Sequence, residues 1–279
     1  RLSEALRPND TIALRLGLAL AQAAQEAPAR AAFQRVSRAN PIVYAGAQYN
    51  LGLSHRRAEL AEEALEAFRR ADAAAPDQTR IALELAAQLL VTEQPEEALT
   101  VLARPTVDTA DQSAATRFLR GNALEMLDRI DEAEAELWAA LQMHPDDPMM
   151  LNHLGYLWVD TGRRVEQGAE MIARAHAADP DNGNIQDSLG WAQFRQGMFE
   201  TAVQTLEGAV DKEPANAEIN DHLGDAYWRV GRRREAEWQW SRVLTLDPEP
   251  ERRAEVERKL ASGLDEAGAA ASDEAAEAS

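Results

Sequence analysis

The sequence lacks cysteine altogether, which excludes disulfide bonds, thiolate metal sites and cysteine nucleophiles. It has no apolar run of about 18 residues, the length that a membrane-spanning helix requires. The five histidines form no HExxH pattern, and no Gly-rich phosphate loop is present. We therefore expect a chain that is not an enzyme, with no catalytic residue, no cofactor and no metal, and with no direct membrane insertion.

Positive charge is also scarce. Lys and Arg total 29 against 48 Asp and Glu, so the formal net charge is −19. This excess of acid disfavours nucleic acid and anionic membranes as partners, because both are polyanions. Aromatic residues are only 5% of the chain while alanine is abundant, a composition that suits closely packed helices.

A period of about 34 residues is present in this chain from near its start to residue 250. Glycine, proline and alanine each follow this period and keep a constant phase to one another. The glycine series is Gly17, Gly52, Gly121, Gly155, Gly190 and Gly224, and the proline series is Pro8, Pro41, Pro76, Pro145, Pro180, Pro214 and Pro248. The period indicates a repeat array, which presents a surface and seldom encloses a catalytic pocket.

One repeat, residues 183–216, predicts a helical hairpin. Apolar residues recur at helical spacing in both halves, and Gly197 between them is suited to a positive φ. Asn216 is a candidate N-cap for the next helix. Gly190 lies within the first helix, where glycine is tolerable if it lets a neighbour approach closely. No segment alternates with period two, so no sheet is expected.

The repeat resembles the tetratricopeptide repeat (TPR), which combines Leu-Gly in a first helix, Gly at the inner turn, Ala and a large residue in a second helix, and then Pro. Residues 217–250 match through Leu223-Gly224, Tyr227, Gly231, Ala236 and Pro248. The resemblance implies an all-α, right-handed TPR superhelical solenoid of about seven helical hairpins. The expected repeats are 10–43, 45–78, 79–113, 114–147, 148–182, 183–216 and 217–250.

The remaining segments and the irregular repeats carry their own expectations. Residues 1–9 are predicted to end a preceding repeat, so the chain is expected to be part of a longer protein. Residues 251–262 are predicted to form a capping helix, with Trp238 packed under it, and residues 263–279 a disordered acidic tail. In repeat 79–113, Pro105 predicts a shortened or distorted second helix. Repeat 148–182 has one inserted residue near Val165.

The resemblance also implies where a partner would bind, because TPR proteins present ligand-contacting residues on the first helices, which line a concave groove. Trp191 and Trp228 lie outside the small-residue seam, so their rings are expected to be at least partly exposed. The alternative is that they pack against the neighbouring repeat's first helix. Trp158, Tyr227 and Trp240 fall on core positions. The predicted partner-binding residues are Asn152, Tyr156, Asp187, Trp191, Arg195, Asp221, Asp225, Trp228 and Arg229.

These positions favour one kind of partner. They include no Lys, and Asp187 and Asp221 replace the basic or amide residues that clamp a C-terminal carboxylate, so carboxylate capture is not expected. An acidic groove flanked by Arg195 and Arg229 suits a polar or basic extended segment of another protein. A metal site built from Asp221, His222 and Asp225 is disfavoured, because these positions do not share one helix face.

Several alternatives stay open. The array could be a structural subunit of a larger assembly that uses its convex face or its ends, or the substrate-selecting arm of a longer enzyme. The stretch from Leu151 to Trp240 resembles long TPR proteins of Gram-negative, mainly alphaproteobacterial, cells, which commonly carry an export signal. That resemblance implies a periplasmic or outer-membrane-associated location, with the cytoplasm as the alternative. The oligomeric state does not follow from the sequence.

Overall fold

The computed structural model describes residues 9–108 and 113–264, and within these ranges the chain forms helices and no strands. The helices are α1 Asp10–Gln22, α2 Glu26–Gln34, α3 Pro41–Arg57, α4 Ala61–Ala74, α5 Thr79–Val91, α6 Pro95–Leu102, α7 Pro105–Asp108, α8 Ala114–Met126, α9 Ile130–Met143, α10 Pro148–Asp160, α11 Val165–Ala178, α12 Gly183–Arg195, α13 Phe199–Lys212, α14 Ala217–Arg229, α15 Arg233–Val243 and α16 Pro250–Ser262. Residues 1–8 and 265–279, which contain most of the two predicted terminal segments, lie outside the described residues.

The helices group into two compact units, residues 1–143 and 144–279. In the N-terminal unit, α1 pairs with α2, α3 with α4, α5 with α6 and α8 with α9; in the C-terminal unit, α10 pairs with α11, α12 with α13 and α14 with α15. Within each unit, the second helix of a pair also packs against the first helix of the next pair. This is the solenoid of helical hairpins that the period predicts. In the described part of the chain, no helix combines the length and apolar character needed to cross a bilayer.

Side-chain caps start many of the first helices. The Asn216 side chain accepts hydrogen bonds from the backbone N–H of Glu218 and Ile219 at 3.0 and 3.3 Å, which confirms its predicted role. Asn40, Asp147 and Asn182 cap α3, α10 and α12 in the same way. Proline at the first helical position of α3, α6, α10 and α16 adds a second start signal.

The recurring glycine of the first helices makes room for the large residue of the second helix. A Cβ built on Gly190 would lie 2.5 Å from Leu206 Cγ, and one on Gly224 would lie 2.5 Å from Trp240 Cδ1. Leu206 and Trp240 are completely buried. The close approach that was expected to offset the helix-weakening effect of Gly190 is therefore present.

The inner turns all use a residue in the left-handed region, at the same position in each repeat. These residues are Ala24, Glu59, Glu93, Asp128, Gly162, Gly197 and Gly231, with φ from +55° to +80°. Glycine adopts this conformation without steric cost, whereas a residue with a side chain is strained by about 1–2 kcal/mol. Among these inner turns, the strained residues all belong to the N-terminal unit.

The third pair has the predicted short second helix. α6 ends at Leu102 after eight residues, and the four-residue α7 begins at Pro105. Proline disfavours helical backbone in the residue before it, which separates the two segments at Arg104. The inserted residue of the fifth repeat is absorbed in the turn at residues 161–164 before α11.

The last helix, α16, corresponds to the predicted capping helix. Its Val256 is fully buried against the α14–α15 pair. The expectation for Trp238 was wrong: this side chain is 60% exposed on α15. Two residues correspond to about 200° around a helix, so Trp238 and the fully buried Trp240 point to opposite sides. Trp158, Tyr227 and Trp240 are all buried, as their core positions predict.

Candidate functional site

The nine predicted partner-binding residues lie on three neighbouring first helices of the C-terminal unit. Asn152 and Tyr156 are on α10. Asp187, Trp191 and Arg195 are on α12, and Asp221, Asp225, Trp228 and Arg229 are on α14. We refer to the face formed by α10, α12 and α14 that carries these residues as the inner face.

The inner face is concave, because a side chain on α10 reaches one on α14 across α12. The Tyr156 hydroxyl donates a hydrogen bond to Glu218 Oε1 at 3.2 Å. Burial, together with the negative charge of Glu218, raises the pKa of Tyr156, so its hydroxyl stays protonated and remains a donor. The two residues are two repeats apart in the sequence, and this contact joins α10 directly to α14.

Asp187 and His222 form a buried pair beneath this contact. His222 Nδ1 lies 3.0 and 3.1 Å from the two Asp187 carboxylate oxygens, and both side chains are almost inaccessible. Burial alone lowers the pKa of His222, but the Asp187 carboxylate outweighs it and raises the pKa to about 9. His222 is therefore an imidazolium at neutral pH, paired with the aspartate.

Trp191 is fixed against this pair. Its ring stacks on His222 with centroids 4.2 Å apart and on Phe194 with centroids 4.9 Å apart. Its indole Nε1 donates to Asp160 Oδ1 at 3.3 Å, and the ring stays partly exposed. Arg195 lies beside it and donates to the Asp160 carbonyl oxygen at 2.8 Å. Trp191 thus combines features of both expectations, since it packs on the next first helix and remains partly exposed.

The aspartates of α14 are held by α16. Lys259 Nζ lies 2.8 Å from Asp221 Oδ1 and 2.9 Å from Asp225 Oδ2, and all three side chains are buried. Burial lowers the pKa of Lys259, but Asp225 and Asp221 outweigh it and raise the pKa, so the ammonium is retained. Asp225 also accepts from Trp240 Nε1 at 2.9 Å, and Arg252 lies 3.3 Å from Asp221.

This geometry corrects the expectation of an acidic groove. Asp187, Asp221 and Asp225 are each at most 5% exposed, and they are paired with bases of the chain itself, His222, Arg252 and Lys259. They fix the positions of other side chains on the inner face instead of presenting free carboxylates to solvent.

The remaining predicted residues lie nearer the surface. The Trp228 ring is partly covered by Trp240, by Gly263 after α16 and by the Arg233 guanidinium 3.7 Å from its centroid. Arg229 is partly exposed, as is Asn152, whose Oδ1 is buried without a hydrogen-bond partner.

Sequence reasoning missed His222, Glu218, Arg252 and Lys259 as members of this network. A signal for His222 was present, because it directly follows Asp221, which lies one period after Asp187. Arg252 and Lys259 belong to a helix that occurs once, so no repeat position marks them. Nowhere in residues 9–108 and 113–264 do three or more His, Asp or Glu side chains converge to hold a metal ion. Asp221 and Asp225 face Lys259, whereas His222 faces Asp187.

Comparison with known proteins identifies the family. The sequence profile of the tetratricopeptide repeat matches residues 14–79, 118–183 and 188–251, which together make up more than half of the chain. The chain belongs to the tetratricopeptide repeat family. Proteins with this fold generally act as scaffolds for protein–protein interaction, which implies protein partners.

Individual relatives agree with this assignment. A TPR repeat-containing protein of Pseudomonas aeruginosa is 30% identical over 164 residues, which cover 57% of this chain and 28% of that protein. A solved tetratricopeptide repeat protein from Parabacteroides merdae shares the fold with a TM-score of 0.70 at 16% identity, covering 90% of this chain and 97% of that one. The Cut9–Hcn1 hetero-tetramer structure aligns with a TM-score of 0.68 at 15% identity, covering 79% of this chain and 43% of that one.

Proposed function

We propose that this TPR array is a non-catalytic scaffold that binds an extended segment of a partner protein along the inner face of the C-terminal unit. The observation that carries the proposal is Trp191. Its ring is held in one orientation by His222, Phe194 and Asp160, and it remains partly exposed. A large aromatic that is already fixed loses little conformational entropy on binding, so it is a favourable anchor.

The network behind Trp191 gives each predicted residue a role in this proposal. Tyr156, Trp191, Arg195, Asn152 and Arg229 retain accessible surface and are proposed to contact the partner directly. Asp187, Asp221 and Asp225 are proposed to act indirectly, by fixing the positions of the other side chains on the inner face. The accessible part of Trp228 would extend the contact along α14. A preformed inner face suits an extended partner segment, because the segment alone then loses conformational entropy when the complex forms.

The chemistry of the partner is proposed from the surface that remains exposed. Half of the Asp160 side chain is exposed beside Trp191, and Arg195 keeps about a third of its surface accessible. Because the chain carries a net charge of −19, a polar or basic segment with at least one apolar side chain fits best. A periplasmic or outer-membrane-associated location remains our proposal for the setting of this interaction.

The test compares a tryptophan on the first helix of one pair with a tryptophan on the second helix of another. Trp191→Ala removes the anchor on α12, whereas Trp238→Ala removes a tryptophan that is 60% exposed on α15. Each variant is used to capture partners from lysate of the organism that encodes the chain, with capture quantified by mass spectrometry and the fold checked by circular dichroism. We expect Trp191→Ala to lose a partner that Trp238→Ala retains.

The reverse pattern would contradict inner-face binding. Loss of capture only with Trp238→Ala would favour the second candidate function, a structural subunit that uses the outer helices. Because Trp191 also packs on His222, Arg195→Glu serves as a second inner-face variant that leaves the stacked rings in place. If it captures the partner normally while Trp191→Ala does not, the partner does not lie along the inner face beside Trp191 and the proposal fails.

A further inference from the structure

The N-terminal unit contains a cleft that the proposed function does not use. The cleft lies where α2, α3 and α4 meet and has a volume of about 460 Å³. Leu51 and Ala67, both buried, form apolar parts of its lining, and Gln48, His55, Glu62 and Glu63 supply polar atoms. It belongs to a different set of helices from the inner face described above.

Two residues that line this cleft each have a buried polar atom without a hydrogen-bond partner. Gln48 is 4% exposed, and its Oε1 accepts no hydrogen bond; His55 Nδ1 is likewise buried and unpaired. Burial, together with the nearby Arg30 guanidinium, lowers the pKa of His55 against the opposing effect of Glu63. His55 is therefore neutral near pH 7, and its Nδ1 is an acceptor in the tautomer that carries the proton on Nε2. Buried polar atoms without partners are costly, so an unpaired pair at one cleft points to a missing donor.

Carboxylates form the rim of the same cleft. Glu62 and Glu63 are exposed in the first turn of α4, and no ion pair of either is found among the described residues. Glu66 is already paired with Arg70, so the rim has an excess of negative charge. The helix dipole accounts for acids at the start of α4, but it does not account for the unpaired Gln48 oxygen beneath them.

We propose that this cleft binds an arginine side chain of a partner protein. A guanidinium has five N–H donors in a planar fork and no acceptor, which matches several acceptors that surround one space. The methylene stem of arginine can lie against Leu51 and Ala67 while the charge meets Glu62 and Glu63. A free amino acid fits less well, because its own carboxylate would be repelled by the acidic rim.

The test titrates the full chain with N-acetyl-arginine methylamide, a probe without terminal charges, and follows Gln48 and His55 side-chain signals by NMR. We expect saturable shifts of both signals. The citrulline analogue, which has the same shape without the charge, and the N-acetyl-lysine methylamide analogue, which lacks the fork, should each bind roughly tenfold more weakly. Free L-arginine should bind more weakly than the capped probe.

Substitutions of the lining residues test whether the probe binds in this cleft. Gln48→Met and Glu62→Gln/Glu63→Gln are each expected to weaken binding by roughly tenfold. Glu200→Gln, a first-turn glutamate of α13, is the matched control and should have no effect. Circular dichroism confirms that each variant is folded. The proposal is overturned if no shift occurs, if the citrulline or lysine analogue binds equally well, or if Glu200→Gln weakens binding as much as the double variant does.

Discussion

The ammonium of Lys259 lies 2.8 Å from the Asp221 carboxylate, and both side chains are 97% or more buried. Because Lys259 also contacts Asp225, removing it leaves the buried Asp225 carboxylate without a cation and Asp221 with Arg252 alone, which costs about 3–5 kcal/mol. We predict that Lys259→Met lowers the free energy of unfolding of the C-terminal unit by that amount and frees α16, measured by chemical denaturation and hydrogen exchange.

Lys212→Met is the control, because Lys212 is exposed on α13 and should change stability by less than about 0.5 kcal/mol. Combining Lys259→Met with Asp225→Asn should recover part of the loss, since the carboxylate charge left without a cation is then removed. Equal stability of Lys259→Met and the unmodified chain would mean that the ion cluster does not hold α16.

His222 makes stability depend on pH in the alkaline range. Its pKa is raised to about 9 in the folded chain from about 6.5 unfolded, so the folded state binds the proton more tightly. This contribution is fully present below about pH 6.5 and is lost as the pH rises through about 9, by up to about 3 kcal/mol. Denaturation between pH 6 and 10 measures it.

The variant His222→Phe isolates this contribution. It retains an aromatic ring next to Trp191 but leaves Asp187 unpaired, so we expect lower stability at pH 6 and a flatter pH profile. An unmodified chain whose stability stays constant between pH 6 and 10 would show that the imidazolium–aspartate pair contributes little.

The inner turns predict stabilising substitutions. Glu59 and Asp128 adopt φ of +58° and +57°, where glycine is favoured, so Glu59→Gly and Asp128→Gly should each stabilise the N-terminal unit by roughly 0.5–1 kcal/mol. Gly197→Ala should destabilise by about 1 kcal/mol. No atom lies within 4 Å of a Cβ built on Gly197, so that cost would be purely conformational. Urea denaturation of the three variants checks the opposite signs, and equal signs would contradict the account.

Two helical glycines predict opposite responses to alanine. Gly190→Ala places a Cβ 2.5 Å from Leu206 Cγ and should cost about 1–3 kcal/mol. Gly46 is also within a helix, but its Cβ would lie 3.7 Å from Leu14 Cδ2, an ordinary contact. Gly46→Ala should therefore stabilise by about 0.5–1 kcal/mol through helix propensity. Thermal denaturation of both variants decides whether close packing, and not helix position, fixes the recurring glycine.

The sequence could predict whatever repeats. The period gave the helix pairs, Gly190 pointed to close packing, and Pro105 indicated the broken helix in the third pair. Contacts that occur only once could not be predicted from the period. The Tyr156–Glu218 bond depends on how the first helices of three successive repeats are arranged, and the Lys259 cluster on a helix that occurs once. The prediction for Trp238 was wrong because a two-residue offset from the buried Trp240 places its side chain on the opposite face of α15.

Site-specific photo-crosslinking is the most direct test of the claim that the inner face recognises a partner. A benzophenone amino acid is placed at Arg195 on α12 in one variant and at Glu200 on α13 in another, and both are irradiated in lysate of the source organism. We predict a discrete crosslinked protein from position 195, competed by unlabelled chain, and none from position 200. Crosslinking of the same protein from position 200, with none from position 195, would contradict the account.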